Sequence, residues 1–218
     1  MDAKLLVQHA SLLNAQGVHA LKVGSSAAAH QLFREALEVM AQAPPIMPPS
    51  QPYHGYPKII VSSCDVPGFD RSDYYVCNAP LLFDVTDLRC LDGDALAICC
   101  QATMFNLALT AHQRGMMTGF QGNLASAGRL YEQCLRLNND IEGPEDEVSA
   151  VVLASLNNVA QIFYSPGNYD LALERLQCVQ QLVSEAGLSA CQSGLTTQLD
   201  EILLNVLAMC KPSTAPCA

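Results

Sequence analysis

The chain has 218 residues, half of them hydrophobic and only 15% charged, enough to bury a core as one domain or at most two. Its formal charge of −10, with eleven Lys and Arg scattered from Lys4 to Lys211, argues against nucleic acid or an anionic membrane as a partner, since neither is attracted to an acidic surface without a basic cluster. No apolar run reaches the roughly 18 residues of a membrane span, and the Lys4 to Leu13 segment, broken by Gln8 and His9 and lacking a clear cleavage site, is a poor signal peptide, so the expected address is cytoplasmic.

In chain order, residues 1–42 read as a first helix pair. Leu13, Gly17 and Ala20 lie on one helix, Gly24 forms the turn, and Ala29, Phe33 and Ala36 lie on the next. Residues 43–94 break the helical pattern and are expected to be an insertion. Ala43 to Pro52 favours polyproline II and reads as a semi-rigid linker; Pro45-x-x-Pro48 and Pro49-x-x-Pro52 lack the flanking Arg or Lys that orients SH3 or WW ligands. Lys58 to Cys64 and Asp73 to Cys77 are β-branched and aromatic runs separated by Pro67-Gly68, which predicts a hairpin with a long loop, extended by Leu81-Leu82-Phe83. Two strands alone are marginal in water, so the hairpin should lie against the helices or in their groove.

A second pair follows over residues 95–139. Met104, Leu107, Ala108 and Ala111 supply its first helix, and Ala127, Tyr131 and Cys134 its second. The halves stand about seven residues too far apart for a standard repeat, and Gly115 to Asn123, with three glycines, is the expected extended loop. In the acidic segment Asp140 to Glu147 the spacing does not match an EF-hand, and Glu145 to Glu147 are expected to start the next helix, where carboxylates complement the dipole. A third pair spans 148–186, with Leu156, Ala160 and Phe163 before a turn at Gly167 and Tyr169, Ala172, Leu176 and Val179 after it. Within 190–211, Leu199, Ile202, Leu203, Val206 and Leu207 form the stripe of a capping helix, and Pro212 and Pro216 end ordered structure.

Seven positions of the first and third pairs agree in spacing, with small residues where two helix backbones approach and larger ones filling the grooves beside them. This recurrence resembles the tetratricopeptide repeat, a helix pair of about 34 residues that stacks on copies of itself. The Asn157-Asn158 pair is similar to the start of kinesin-light-chain-type repeats, a signature placed in residues 153–186. The resemblance implies a mainly α, right-handed superhelix of antiparallel helix pairs, interrupted by the proline-rich linker and the small hairpin.

It also implies a binding site on the concave face. Family positions carried onto this chain give Ser11, Asn14, Val18 and Leu21 in the first repeat, Ala102, Phe105, Leu109 and His112 in the second, and Ala154, Asn157, Gln161 and Tyr164 in the third. The position that often contacts a bound peptide backbone is Asn106 in the second repeat and Asn158 in the third, but Ala15 in the first. No Lys or Arg occupies these positions, so the dicarboxylate clamp of chaperone-binding members is not expected. The implied function is a protein-interaction scaffold or adaptor that binds a peptide or helix of a partner. The alternative is an enzyme or small-ligand protein on a helical scaffold, with the hairpin closing a pocket.

Ten cysteines are expected to be packed, reduced thiols. There is no Cys-x-x-Cys, the five histidines do not cluster with cysteines at zinc spacing, and a cytoplasmic protein keeps thiols reduced. No phosphate-binding glycine loop, Gly-x-Ser-x-Gly elbow, His-Glu-x-x-His or dinucleotide fingerprint is present. Catalytic residues, metal and cofactor are therefore none on this reading. A pairing such as Cys77 with His112 is what ten cysteines produce by chance.

Overall fold

Small residues decide how closely helices cross, and the first helix pair shows the consequence. A β-carbon added at Gly17 would lie 2.5 Å from Cε1 of Phe33, so the aromatic ring occupies the space that glycine leaves. These two residues join α1 (Ala3–Lys22) to α2 (Ser26–Met40). On α2, Ala29, Phe33, Ala36 and Met40 are buried, an i, i+4, i+7, i+11 stripe that makes it one-sided. The turn between them places Gly24 at φ 80°, backbone that a side chain rarely tolerates.

The computed structural model describes residues 2–44, 57–63, 65–69, 75–86, 92–138, 145–186 and 192–209. Among them the chain is mainly helical, with seven helices and one two-stranded sheet. After α2 come β1 (Lys58–Val61) and β2 (Leu81–Asp84), then α3 (Gly93–Thr118), α4 (Gln121–Asn138), α5 (Glu145–Tyr164), α6 (Tyr169–Ala186) and α7 (Gln192–Met209). The helices pack in consecutive pairs, α1 with α2, α3 with α4 and α5 with α6. The odd-numbered helices also touch in series, α1 with α3, α3 with α5 and α5 with α7. The third pair turns at Gly167, φ 87°, with Ala160 and Ala172 both buried.

One contiguous apolar cluster runs through all the helices and takes in Cys77, Leu81, Phe83 and Val85 from the inserted segment. Helix α3 is its spine. It is 26 residues long and apolar enough, by length and composition, to cross a membrane, yet 78% of its apolar window is buried against the rest of the protein. Asp92 caps it by accepting the Ala95 N–H at 2.7 Å, the arrangement that satisfies an otherwise orphaned donor.

Three expectations are corrected. Gly115 to Asn123 is not an extended loop: α3 continues to Thr118 and α4 begins at Gln121, so the extra residues lengthen the helices. Gly115 lies inside α3, where an added β-carbon would meet Leu124 at 2.4 Å, making it a close-approach residue like Gly17. The hairpin also has a different second strand. β1 pairs antiparallel with β2, Lys58 opposite Asp84 and Val61 opposite Leu81, while 75–77 has no strand partner among the described residues, the main-chain groups of Tyr75 and Cys77 being taken by side chains. On the capping helix, Leu199, Ile202 and Val206 are buried, but Leu207 is 62% exposed. Most of the proline-rich stretch, Cys64, residues 73–74, the acidic segment up to 144 and the tail after Met209 lie outside the described residues.

Candidate functional site

An extended chain exposes one N–H and one C=O per residue, and burying it requires partners for both. In this protein the partners are asparagines. From the α7 end, Asn205 accepts the Tyr75 N–H at 3.2 Å and donates to the Tyr75 carbonyl at 2.8 Å. Asn158 on α5 accepts from the Cys77 N–H at 2.8 Å and donates to its carbonyl at 3.0 Å. Asn106 on α3 accepts the Leu81 N–H at 2.8 Å and donates to the Leu81 carbonyl at 2.6 Å. Three amides on three helices thus each hold both main-chain groups of one residue.

Neighbouring side chains extend the row. Asn14 donates to the Leu81 carbonyl at 2.9 Å, Ser11 to the Phe83 carbonyl at 2.9 Å, and Asn157 to the Tyr75 carbonyl at 3.1 Å. The amides also bond each other, Asn106 to Asn14 at 2.9 Å and Asn205 to Asn157 at 2.8 Å. Asn158 further donates to the Tyr131 hydroxyl at 3.0 Å. Asn14, Asn106 and Asn158 are wholly buried, which in a low-dielectric interior is tolerable only for a satisfied network. The segment 75–83 therefore runs across the odd-numbered helices from α7 to α1, opposite to their order in the chain. On its other side, the Val66 N–H donates to the Asn78 carbonyl at 3.0 Å and the Ser62 N–H to the Pro80 carbonyl at 2.9 Å.

The structure brings together five of the sequence-predicted groove residues, Ser11, Asn14, Asn106, Asn157 and Asn158, on one bound segment. Val18, Leu21, Phe105 and Leu109 are buried in the apolar cluster, with the Phe105 ring 5.5 Å from that of Tyr131. Ala102 and Ala154 are buried in the same cluster, and three others lie aside from the clamp: His112 bonds Gln161 at 2.9 Å through Nε2, and Tyr164 packs edge-on against Tyr169 at 5.0 Å. Phe69 meets the His112 ring edge-on at 5.2 Å. Sequence reasoning missed Asn205, because its helix was taken only as an apolar cap. The visible signal was a polar residue standing directly before Val206 in that stripe.

The titratable groups here are held neutral. Burial pulls the His112 imidazole down to about 4, the Gln161 bond opposing it. Burial pushes the Cys77, Cys99 and Cys134 thiols well above their ordinary range, and Cys100 to about 11. Such thiols are poor nucleophiles. Cys77, Cys99, Cys100, Cys134 and Cys178 are free, and among the described residues no three His, Cys, Asp or Glu side chains gather as a metal site would require. No protein-family model, curated protein or solved structure matches the chain.

Proposed function

We propose that this protein is a tetratricopeptide-like interaction scaffold, a cytoplasmic adaptor whose concave groove, lined by the first helix of each pair and by α7, recognises an extended protein segment through its backbone. One observation carries the reading: Asn106, Asn158 and Asn205 each grip the N–H and C=O of a single residue along one extended chain. Main-chain bonds supply affinity for any extended segment, and pockets for particular side chains supply selectivity.

The occupant in this state is the chain's own 75–83 segment. A tethered ligand enjoys an effective concentration on the order of millimolar, so a partner's segment has to displace an intramolecular competitor. The alternative reading as an enzyme draws no support from the neutral, buried thiols and imidazole. A labelled peptide with the sequence of residues 75–85, titrated into the full chain carrying Phe83→Ala to loosen the tethered copy, tests the proposal. Binding is expected, and it should weaken at least tenfold when Asn106→Ala is added. If the loosened chain keeps its helical signal yet binds no peptide, the asparagine row serves only the internal segment and the groove is not a partner site.

A further inference from the structure

A second site stands apart from the asparagine row, at the junction of α2, α3 and α4. A cleft of about 360 Å³ is lined there by His30 from α2, by Leu107, Ala111 and Arg114 from α3, and by α4, which contributes Arg129 and three polar side chains. Asn123, Ser126 and Gln133 are those polar groups, and every titratable group in the lining is basic. In a chain with 21 Asp and Glu against 11 Lys and Arg, a concavity with two arginines and no carboxylate is a local inversion of charge.

Among the described residues, Arg114 and Arg129 form no ion pair, whereas Arg34 bonds Glu38 and Arg175 bonds Glu132. Arg129 instead donates to the Ser126 hydroxyl at 3.1 Å, which orients its guanidinium at the cleft wall. The His30 imidazole titrates below the ordinary range, first through burial, then through the positive charge of Arg114 from α3 and Arg34 on its own helix. Guanidinium groups offer paired N–H donors matched to planar or tetrahedral oxyanions, and Leu107, Ala111 and Leu130 give an apolar wall for a short carbon skeleton.

We propose that this cleft binds an oxyanion, the phosphate or carboxylate of a small organic ligand or of a partner's side chain, between Arg114, Arg129 and His30. The charge arriving there opposes the arginines' effect on His30, so binding and protonation of His30 reinforce each other by linkage. Affinity therefore rises as the pH falls through the His30 titration. Because both arginines are exposed at the cleft mouth, salt screens the attraction.

The test uses the full chain and follows the His30 imidazole resonances by NMR while inorganic phosphate, citrate or a short phosphoserine peptide is added, with chloride at matched ionic strength as reference. Saturable binding is expected at one site, with the His30 pKa rising as it fills, and at least a tenfold loss of affinity in Arg114→Gln and in Arg129→Gln. Both residues are exposed, so unchanged thermal midpoints should accompany the loss. A peptide binding tenfold tighter than phosphate or citrate supports the site with a partner protein as the source of the anion; the reverse order supports it with a small ligand. Equal responses in the two variants and the parent chain, or a response no larger than that to chloride, overturn the proposal.

Discussion

Asn158 and Cys77, 81 positions apart in the chain, exchange two hydrogen bonds, the amide oxygen of one accepting the main-chain N–H of the other at 2.8 Å and the amide nitrogen returning to its carbonyl at 3.0 Å. The pair fixes the inserted segment to α5, and a third bond from the same amide fixes Tyr131 of α4.

Asn158→Ala should therefore strand a buried N–H, a buried C=O and a buried hydroxyl at once. Each unsatisfied group costs about 1–3 kcal/mol, and relaxation or entering water reduces the sum, so a loss of roughly 3 kcal/mol or more is expected in urea unfolding. Asn157→Ala should cost less, since the Tyr75 carbonyl keeps its bond to Asn205. Equal losses for the two variants would show that the bidentate grip is not what stabilises the segment.

Gly17→Ala should overpack the α1–α2 crossing, because the new methyl meets the Phe33 ring edge and not the end of a flexible chain. A loss of about 1–3 kcal/mol is expected. Combining it with Phe33→Leu should cost less than the two single changes added together, since the smaller side chain makes room for the methyl. Thermal unfolding of the four proteins in the cycle measures the coupling, and strict additivity would place the two residues out of contact.

Acid should weaken the fold through His112. Its folded pKa of about 4 lies below the ordinary imidazole value of 6.5, so the unfolded chain binds the extra proton first and stability rises with pH between those values. Above pH 6.5 the neutral ring costs nothing further; as the pH falls toward 4 the deficit grows to on the order of 3 kcal/mol. His112→Gln should flatten that part of the stability profile measured by denaturant unfolding at a series of pH values. A profile as steep in the variant as in the parent would assign the acid sensitivity to another group.

Local rules made much of this protein legible. Gly24 and Gly167 announce turns, and Gly17, Ala160 and Ala172 mark buried positions on paired helices, because periodicity and backbone freedom are written within a few residues. The spacing within the first helix of each pair also pointed to Asn14, Asn106, Asn157 and Asn158, since that pattern recurs in all three even though the second pair is longer overall. Gly115 misled: three glycines suggested a loop, but glycine inside a helix is tolerated where another helix must come close, and only Leu124 on the facing helix reveals that need.

That the insertion should lie against the helices or in their groove was expected from its sequence, but which of its residues meet the asparagine row was decided by tertiary structure. Residues 75–77 have strand-like composition, yet the N–H and C=O groups of Tyr75 and Cys77 go to Asn205, Asn157 and Asn158. Hydrogen bonds to main-chain atoms leave no mark on the side chains of the segment that receives them. Asn205 became part of the row for a similar reason: its role depends on α7 lying beside α5, a placement set by apolar burial at Leu199, Ile202 and Val206 and not by anything adjacent to it in the chain.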